Sequence, residues 1–237
     1  MRVLVVEDEK RLAENIARGL RDGAGYAVDH APDGEEALFS IASTEYDLIV
    51  LDLMLPRRIG QEVVRELRQR GKTVPVLILT ARDERESIVA LLNAGADDYV
   101  TKPFDLGELI ARAKALIRRG KGQAAAVLHA GDLEVDTARR QVRRAGRELI
   151  LTPMEYRVLE YLVHRHGTVV SKTELLEHLY DYNWEKFSNV IEVYISGLRR
   201  KIDEGSADRL IHTLRGHGYV LRQECSVKVP VEAETRR

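Results

Sequence analysis

Five polar residues fall where short apolar runs stop. Glu7 and Asp8 follow the run 3–6, Asp52 follows 48–51, Thr80 follows 76–79, and Lys102 closes the segment 98–102. If these runs are strands of one parallel sheet, their carboxyl ends meet at the crevice where such sheets bind ligands. Carboxylates gathered there repel one another, so the crevice calls for a divalent cation, and hard oxygen ligands, few in number, favour Mg²⁺. Lys102 is a point charge suited to a phosphoryl group, and Thr80 offers a hydroxyl donor. A carboxylate nucleophile, a metal and two electrophilic donors suit phosphoryl transfer onto Asp52. Taken alone, Asp52 would be read as a cap or turn residue. The matching positions of the other residues favour the chemical role.

The elements that must position these groups follow from periodicity. Strands are expected over 3–6, 26–31, 75–80 and 98–102, with the third strand ending at Asp52. The third is apolar throughout, as a strand buried on both faces of a parallel sheet must be. Between strands, Leu12, Ile16 and Leu20, then Ala37, Leu38 and Ile41, then Val63, Val64 and Leu67, then Ile88, Leu91 and Leu92 recur at helical spacing. A fifth helix is expected over 106–119. Alternating βα units predict a parallel sheet covered by helices on both faces.

A length of 237 residues favours two domains. Hydrophobic content of 44% and charged content of 32% describe a soluble globular chain. The net formal charge is −3 over residues 1–119 and +2 over the rest, a mild asymmetry that fits an acidic half and a nucleic-acid half. The single cysteine, Cys225, excludes an intrachain disulfide framework and fits a reducing compartment. The chain enters a strand at once with no signal-peptide layout, and no apolar run approaches the ~18–20 residues of a membrane helix. A cytoplasmic protein without a membrane role is expected.

The pattern changes after a short Gly/Ala-rich stretch, 120–126, expected to be a flexible linker. Alternating segments 128–135 and 139–151, with a turn at Ala145-Gly146, predict a small antiparallel sheet. The arginines at 139, 140, 143, 144 and 147 read as its solvated face. Thr152-Pro153-Met154-Glu155 and Ser171-Lys172-Thr173-Glu174 read as capping boxes that open two helices. After a loop rich in aromatics, Ser188 is expected to cap a third helix. Its buried stripe is Val190, Ile191, Tyr194, Ile195, Leu198 and Ile202; its opposite face shows Val193, Ser196, Gly197, Arg199, Arg200 and Lys201. A hairpin over 211–222 turns at Arg215-Gly216-His217-Gly218, and 224–237 is expected to be a flexible tail. Three helices, a basic third helix and a hairpin describe a winged helix-turn-helix on DNA, with a protein-interaction module as the alternative.

These motifs carry a resemblance. Glu7-Asp8, Asp52-Leu53-Met54-Leu55-Pro56, Thr80-Ala81, and Gly95-Ala96-Asp97-Asp98-Tyr99 running into Lys102-Pro103-Phe104 resemble a two-component receiver domain. Leu151-Thr152-Pro153-Met154-Glu155-Tyr156, Ser188-Asn189-Val190, Leu198-Arg199-Arg200-Lys201-Ile202 and Thr213 to Tyr219 resemble the effector domain of the OmpR/PhoB family. The resemblance implies a flavodoxin-like α/β receiver of strand order 2-1-3-4-5 over 1–119, a linker 120–126, an α+β winged helix-turn-helix over 127–223 and the tail. It further implies that a sensor histidine kinase phosphorylates Asp52. Asp8, Asp52 and the Met54 carbonyl would bind Mg²⁺, with Glu7 acting through water. Lys102 and Thr80 would contact the phosphoryl oxygens, Tyr99 would turn inward when Thr80 moves, and the Lys102–Pro103 bond would be cis.

For DNA, the resemblance implies contacts from Ser188, Asn189, Val193, Ser196, Arg199 and Arg200, and from Arg215 and Gly216 in the wing. Trp184 resembles a loop that touches RNA polymerase. A homodimer of phosphorylated receivers would pair through Val89, Leu92, Asp97, Asp98, Glu108, Ala111, Arg112 and Arg119, with Asp97 directed at Arg119. Ile88 stands where the family has a lysine that bonds the partner's glutamate. Two effector domains would then sit on direct repeats of promoter double-stranded DNA. Arg57, Arg58 and Ile59 depart from the family's pattern after Asp52, and Gly197 departs within the third helix. Two other readings remain: a regulator that binds DNA without phosphorylation, and a phosphatase with an aspartate nucleophile. The second needs another acid two residues after Asp52, where Met54 stands, so no enzyme is expected.

Overall fold

The computed structural model describes residues 1–81, 89, 91–180, 189–206 and 208–223. In the first half, strands β1 (Arg2–Val6), β2 (Ala27–Ala31), β3 (Leu48–Asp52), β4 (Val76–Thr80) and β5 (Asp98–Thr101) form one parallel sheet of order β2-β1-β3-β4-β5. β1, β3 and β4 are buried along their whole length, which is why their sequences are continuous apolar runs rather than alternations. Helices α1 (Lys10–Gly19), α2 (Gly34–Ser43), α3 (Gly60–Gln69) and α5 (Leu106–Gly120) cover the sheet. Of the fourth helix, α4, residues 89 and 91–93 are described and are helical.

Local chemistry sets the helix starts. Asp33 caps α2 by accepting hydrogen bonds from the Glu35 and Glu36 amides at 2.9 Å, and Asp105 caps α5 through the Glu108 amide at 3.0 Å. The first helix departs from expectation. Its regular part stops at Gly19 and continues as a π-helical turn, Leu20–Ala24, closed by Gly25 in the left-handed region at φ 73°.

The second half opens with β6 (Val127–Ala130), β7 (Leu133–Asp136), β8 (Gln141–Arg144) and β9 (Arg147–Leu149), an antiparallel meander in sequence order. The segment 128–135, expected as one strand, is a hairpin that turns at Gly131, φ 62°. Ala145 and Gly146 both adopt positive φ, the geometry of a two-residue hairpin turn. Helices α6 (Pro153–His164), α7 (Lys172–Leu179) and α8 (Val190–Ile202) follow, then the hairpin β10 (Ile211–Leu214) and β11 (Gly218–Leu221).

Thr152 and Glu155 form the reciprocal capping box of α6. At α7, Ser171 accepts from the Glu174 amide, but the Glu174 carboxylate accepts from Tyr161 Oη at 2.9 Å and lies 2.9 Å from Arg165. The second box is therefore half formed, because a tyrosine and an arginine from the neighbouring chain segment compete for its carboxylate. The expected cap Ser188 lies outside the described residues, and Asn189 occupies the N-cap position of α8. Arg144 corrects the reading of the sheet's arginines as a solvated face. It is 5% exposed and bonds Asp132, Asp203 and the Ile202 and Asp208 carbonyls. Charge alone misplaced it because its acceptors lie up to 64 residues away.

The two halves share one apolar cluster. Val3, Leu48, Ile117 and Tyr26 from the first join Leu128, Tyr156, Tyr161 and Leu175 from the second. A separate cluster on the other sheet face, including Leu4, Ile49, Val63 and Ile78, belongs to the first half alone.

Candidate functional site

The carboxyl ends of four strands bring the sequence-predicted residues together. Glu7, just past β1, is buried, and Asp8 beside it is exposed. Asp52 ends β3 and Thr80 ends β4, both buried. Carboxylate oxygens of Glu7, Asp8 and Asp52 lie within 4.8 Å of one another. Lys102, following β5, donates to Glu7 Oε2 at 2.7 Å and Asp52 Oδ2 at 2.8 Å. The other Asp52 oxygen accepts from the Met54 amide at 3.1 Å. The Lys102–Pro103 bond is cis.

The electrostatics follow from this packing. Burial pushes the Glu7 carboxyl up, and the neighbouring Asp52 charge adds to it against the opposing Lys102 hydrogen bond. Burial works to lower the Lys102 ammonium, but its hydrogen bonds to Asp52 and Glu7 outweigh that and raise it. One ammonium against three carboxylates leaves net negative charge at a solvent-facing opening, the donor set and charge a Mg²⁺ ion fits.

Two flanking features fix the site's walls. Gly60 begins α3 so close to β3 that a β-carbon there would lie 3.0 Å from Leu53 Cα, and nearer still to the Asp52 carbonyl oxygen. Arg57, at φ 63°, places its guanidinium 3.2 Å from Asp33 Oδ2, and Arg58 pairs with Glu66. Both departures from the family pattern are thus tied to neighbouring helices, while Ile59 stays exposed.

The expected switch and pairing residues are also placed. Tyr99 is half-buried against the second apolar cluster. Val89 and Leu92 are exposed at 56% and 44%. Arg112 lies 3.0 Å from Asp98 and 2.8 Å from Glu108. Ala111 and Arg119 are exposed. Asp97, expected to reach Arg119, is held within the chain by Arg68 at 2.9 Å and by the Val76 amide at 2.8 Å. Ile88 lies outside the described residues.

On α8, Val193 is 65% exposed and Ser196 and Arg200 are exposed beside it. Arg199 is turned toward the hairpin, donating to the Ile211 carbonyl at 3.0 Å and Thr213 Oγ1 at 2.6 Å. Arg215 and Gly216 stand exposed at the hairpin turn. Arg199, Arg200, Arg209, His212 and Arg215 line a cleft of about 710 Å³ between helix and hairpin. Arg209 was not singled out from sequence; its signal was a basic residue just before the hairpin. Gly197 has a structural reason: a β-carbon there would lie 2.5 Å from Glu155 Oε1, and that carboxylate is held through its other oxygen, Oε2, by the Thr152 amide at 2.7 Å and by Lys201 at 2.6 Å. Ser188 and Trp184 lie outside the described residues.

A five-stranded α/β receiver followed by a winged helix defines a class, the DNA-binding two-component response regulators. The family profile of the response regulator receiver domain matches residues 3–114, and that of the C-terminal transcriptional regulatory protein domain matches 146–221. The chain belongs to the OmpR/PhoB family of response regulators. It is 44% identical over 225 residues to the two-component response regulator PhoP of Pseudomonas aeruginosa, covering 95% of this chain and 100% of that one. It is 45% identical over 226 residues to the response regulator MprA of Mycobacterium tuberculosis, covering 94% and 98%. Among solved structures it is similar to DrrB, an OmpR/PhoB homologue from Thermotoga maritima, at 31% identity over 93% of this chain and 98% of that one, TM-score 0.46. The chain is thus a phosphorylation-activated, DNA-binding transcriptional regulator of a two-component system. No helix among the described residues is long and apolar enough to cross a membrane.

Proposed function

We propose that Asp52 is the phosphoacceptor and that Asp8, Asp52 and the Met54 carbonyl, with Glu7 through water, hold Mg²⁺. The observation that carries this is the convergence of three carboxylates within 4.8 Å around an ammonium bonded to two of them. An Asp52 oxygen attacks the phosphorus. The bond from phosphorus to the kinase's histidine nitrogen breaks, and that nitrogen leaves with the electron pair. Bound Mg²⁺ would supply charge neutralisation at the phosphoryl oxygens. Lys102 transfers its hydrogen bond from Asp52 to an incoming oxygen, and Thr80 donates its hydroxyl.

Tyr99 follows Thr80, and the receivers pair through Val89, Leu92 and Ala111, with Ile88 extending the apolar patch. Asp98, Glu108 and Arg112 exchange their intrachain pairs for partners across the homodimer, and Asp97 and Arg119 flank them. Two effector domains then bind direct repeats in promoter DNA. Asn189, Val193, Ser196 and Arg200, with Ser188, face the major groove; Arg215 and Gly216 meet the backbone; Arg199 braces the wing. The working partition is receiver 1–119, linker 120–126, effector 127–223 and tail. RNA polymerase is the partner of the stretch of sequence bearing Trp184, the setting is the cytoplasm, and the phosphoryl group is held as a signal rather than turned over.

The test is intact mass after incubation with a small phosphodonor. One phosphoryl adduct is expected on the native chain with Mg²⁺, and none with chelator or in Asp52→Asn. An adduct that survives either change would overturn the assignment.

A further inference from the structure

Asp47 stands at the opposite end of β3 from Asp52, where the receiver meets the effector domain. It is 3% exposed. Its Oδ2 accepts from the Arg2 backbone amide at 2.8 Å and lies 2.8 Å from Nδ1 of His178, on α7 and 131 residues away. Lys121 Nζ is 2.6 Å from Oδ1. An ionised carboxylate only accepts, so His178 Nδ1 carries the proton of this bond. Burial works to raise the Asp47 carboxyl; His178, then Lys121, outweigh it and hold it far below the usual carboxylate range. Around this contact, Arg2 bonds Asp29 at 2.6 Å and reaches the Glu177 carbonyl in the last turn of α7 at 3.1 Å. Lys114 donates to the Ala138 carbonyl at 3.2 Å.

We infer that Asp47 and His178 form a latch that docks the effector domain on the amino-terminal edge of the receiver sheet, and that this latch must open before two effector domains can sit head-to-tail on DNA. The contact surface uses α6, α7 and the turn between β7 and β8; the exposed residues of α8 and the wing lie outside it. The latch therefore fixes the direction of the DNA face without covering it. Two latched chains paired through a receiver two-fold axis would present their recognition helices symmetrically, which a direct repeat does not accept. This second step rests on the proposed dimer; the latch itself does not.

Removing one member of a buried pair leaves the other uncompensated, so each single variant should shift the open-to-latched ratio on the order of a hundredfold. The experiment uses the full chain. Small-angle scattering without DNA or phosphodonor should give a compact native particle and an expanded one for both Asp47→Asn and His178→Leu. Asn keeps an oxygen for the Arg2 amide, and His178→Leu changes no residue of the receiver. Unphosphorylated variants should gain affinity for a direct repeat but not for a single half-site. Compact variants would overturn the latch, as would expansion in Asp47→Asn alone or an equal gain on a single half-site. Because scattering needs neither phosphoryl group nor DNA, its failure leaves the Asp52 assignment standing, and loss of labelling at Asp52 leaves the latch standing.

Discussion

Gly60→Ala tests how closely the phosphoacceptor strand is held. The added carbon would lie 3.0 Å from Leu53 Cα and 3.1 Å from the Asp52 carbonyl carbon, all backbone atoms. Carbon contacts are comfortable at roughly 3.5–4.0 Å, so the strand end or the start of α3 must move by about half an ångström to one. Overpacking of this kind costs about 1–3 kcal/mol. The helix preference of Ala over Gly returns at most about 1 kcal/mol. The net expectation is a receiver destabilised by about 1–2 kcal/mol. The larger effect should be chemical. A reacting group misplaced by about 1 Å can lose on the order of a hundredfold in rate. Asp52 should therefore accept a phosphoryl group from a small donor at least about tenfold more slowly in Gly60→Ala, while the neighbouring Gln61→Ala stays near the native rate. Phosphorylation followed by mass, with denaturant unfolding alongside, separates the two effects. A Gly60→Ala chain that labels and unfolds like the native one would refute the close approach as the reason for this glycine.

Arg144→Met should destabilise the effector domain by about 3 kcal/mol, since it leaves the buried Asp203 carboxylate without its guanidinium. Denaturation followed by the fluorescence of Trp184 should show the loss, with labelling of Asp52 unaffected. His164 is buried and its pKa is lowered to about 4, by burial first and then by the charge of Lys121. The unfolded chain then binds a proton between pH ~6.5 and ~4 that the folded chain refuses, so stability falls as pH falls through that window, by roughly 3 kcal/mol in all. His164→Gln should flatten this part of the stability profile, and an unchanged slope would count against the assignment.

Some of this was legible from local pattern. The runs ending at Val6, Leu51 and Leu79 are continuous because their strands are buried on both faces, and the polar residues after them mark the crevice without further information. The cap at Thr152 was legible because a cap is a contact across three residues. What escaped depends on distant partners. Arg144 looked like its solvated neighbours Arg139 and Arg143, and only the Asp203 and Asp208 ends of the fold bury it. Asp47 was not singled out from the sequence, because its partner His178 is contributed by α7. Gly60 has its reason in the lack of room against β3, which only the folded chain shows. Gly197, an unfavourable residue inside a helix by propensity, makes sense only once Glu155 is seen against it.

The central claim is that phosphorylation of Asp52 governs DNA binding, and footprinting on a direct-repeat promoter tests it most directly. With a phosphodonor and Mg²⁺, the native chain should protect two half-sites about one helical turn apart at lower concentration than without donor, and Asp52→Asn should not respond to donor. Equal protection with and without donor, or a donor response that persists in Asp52→Asn, would contradict it.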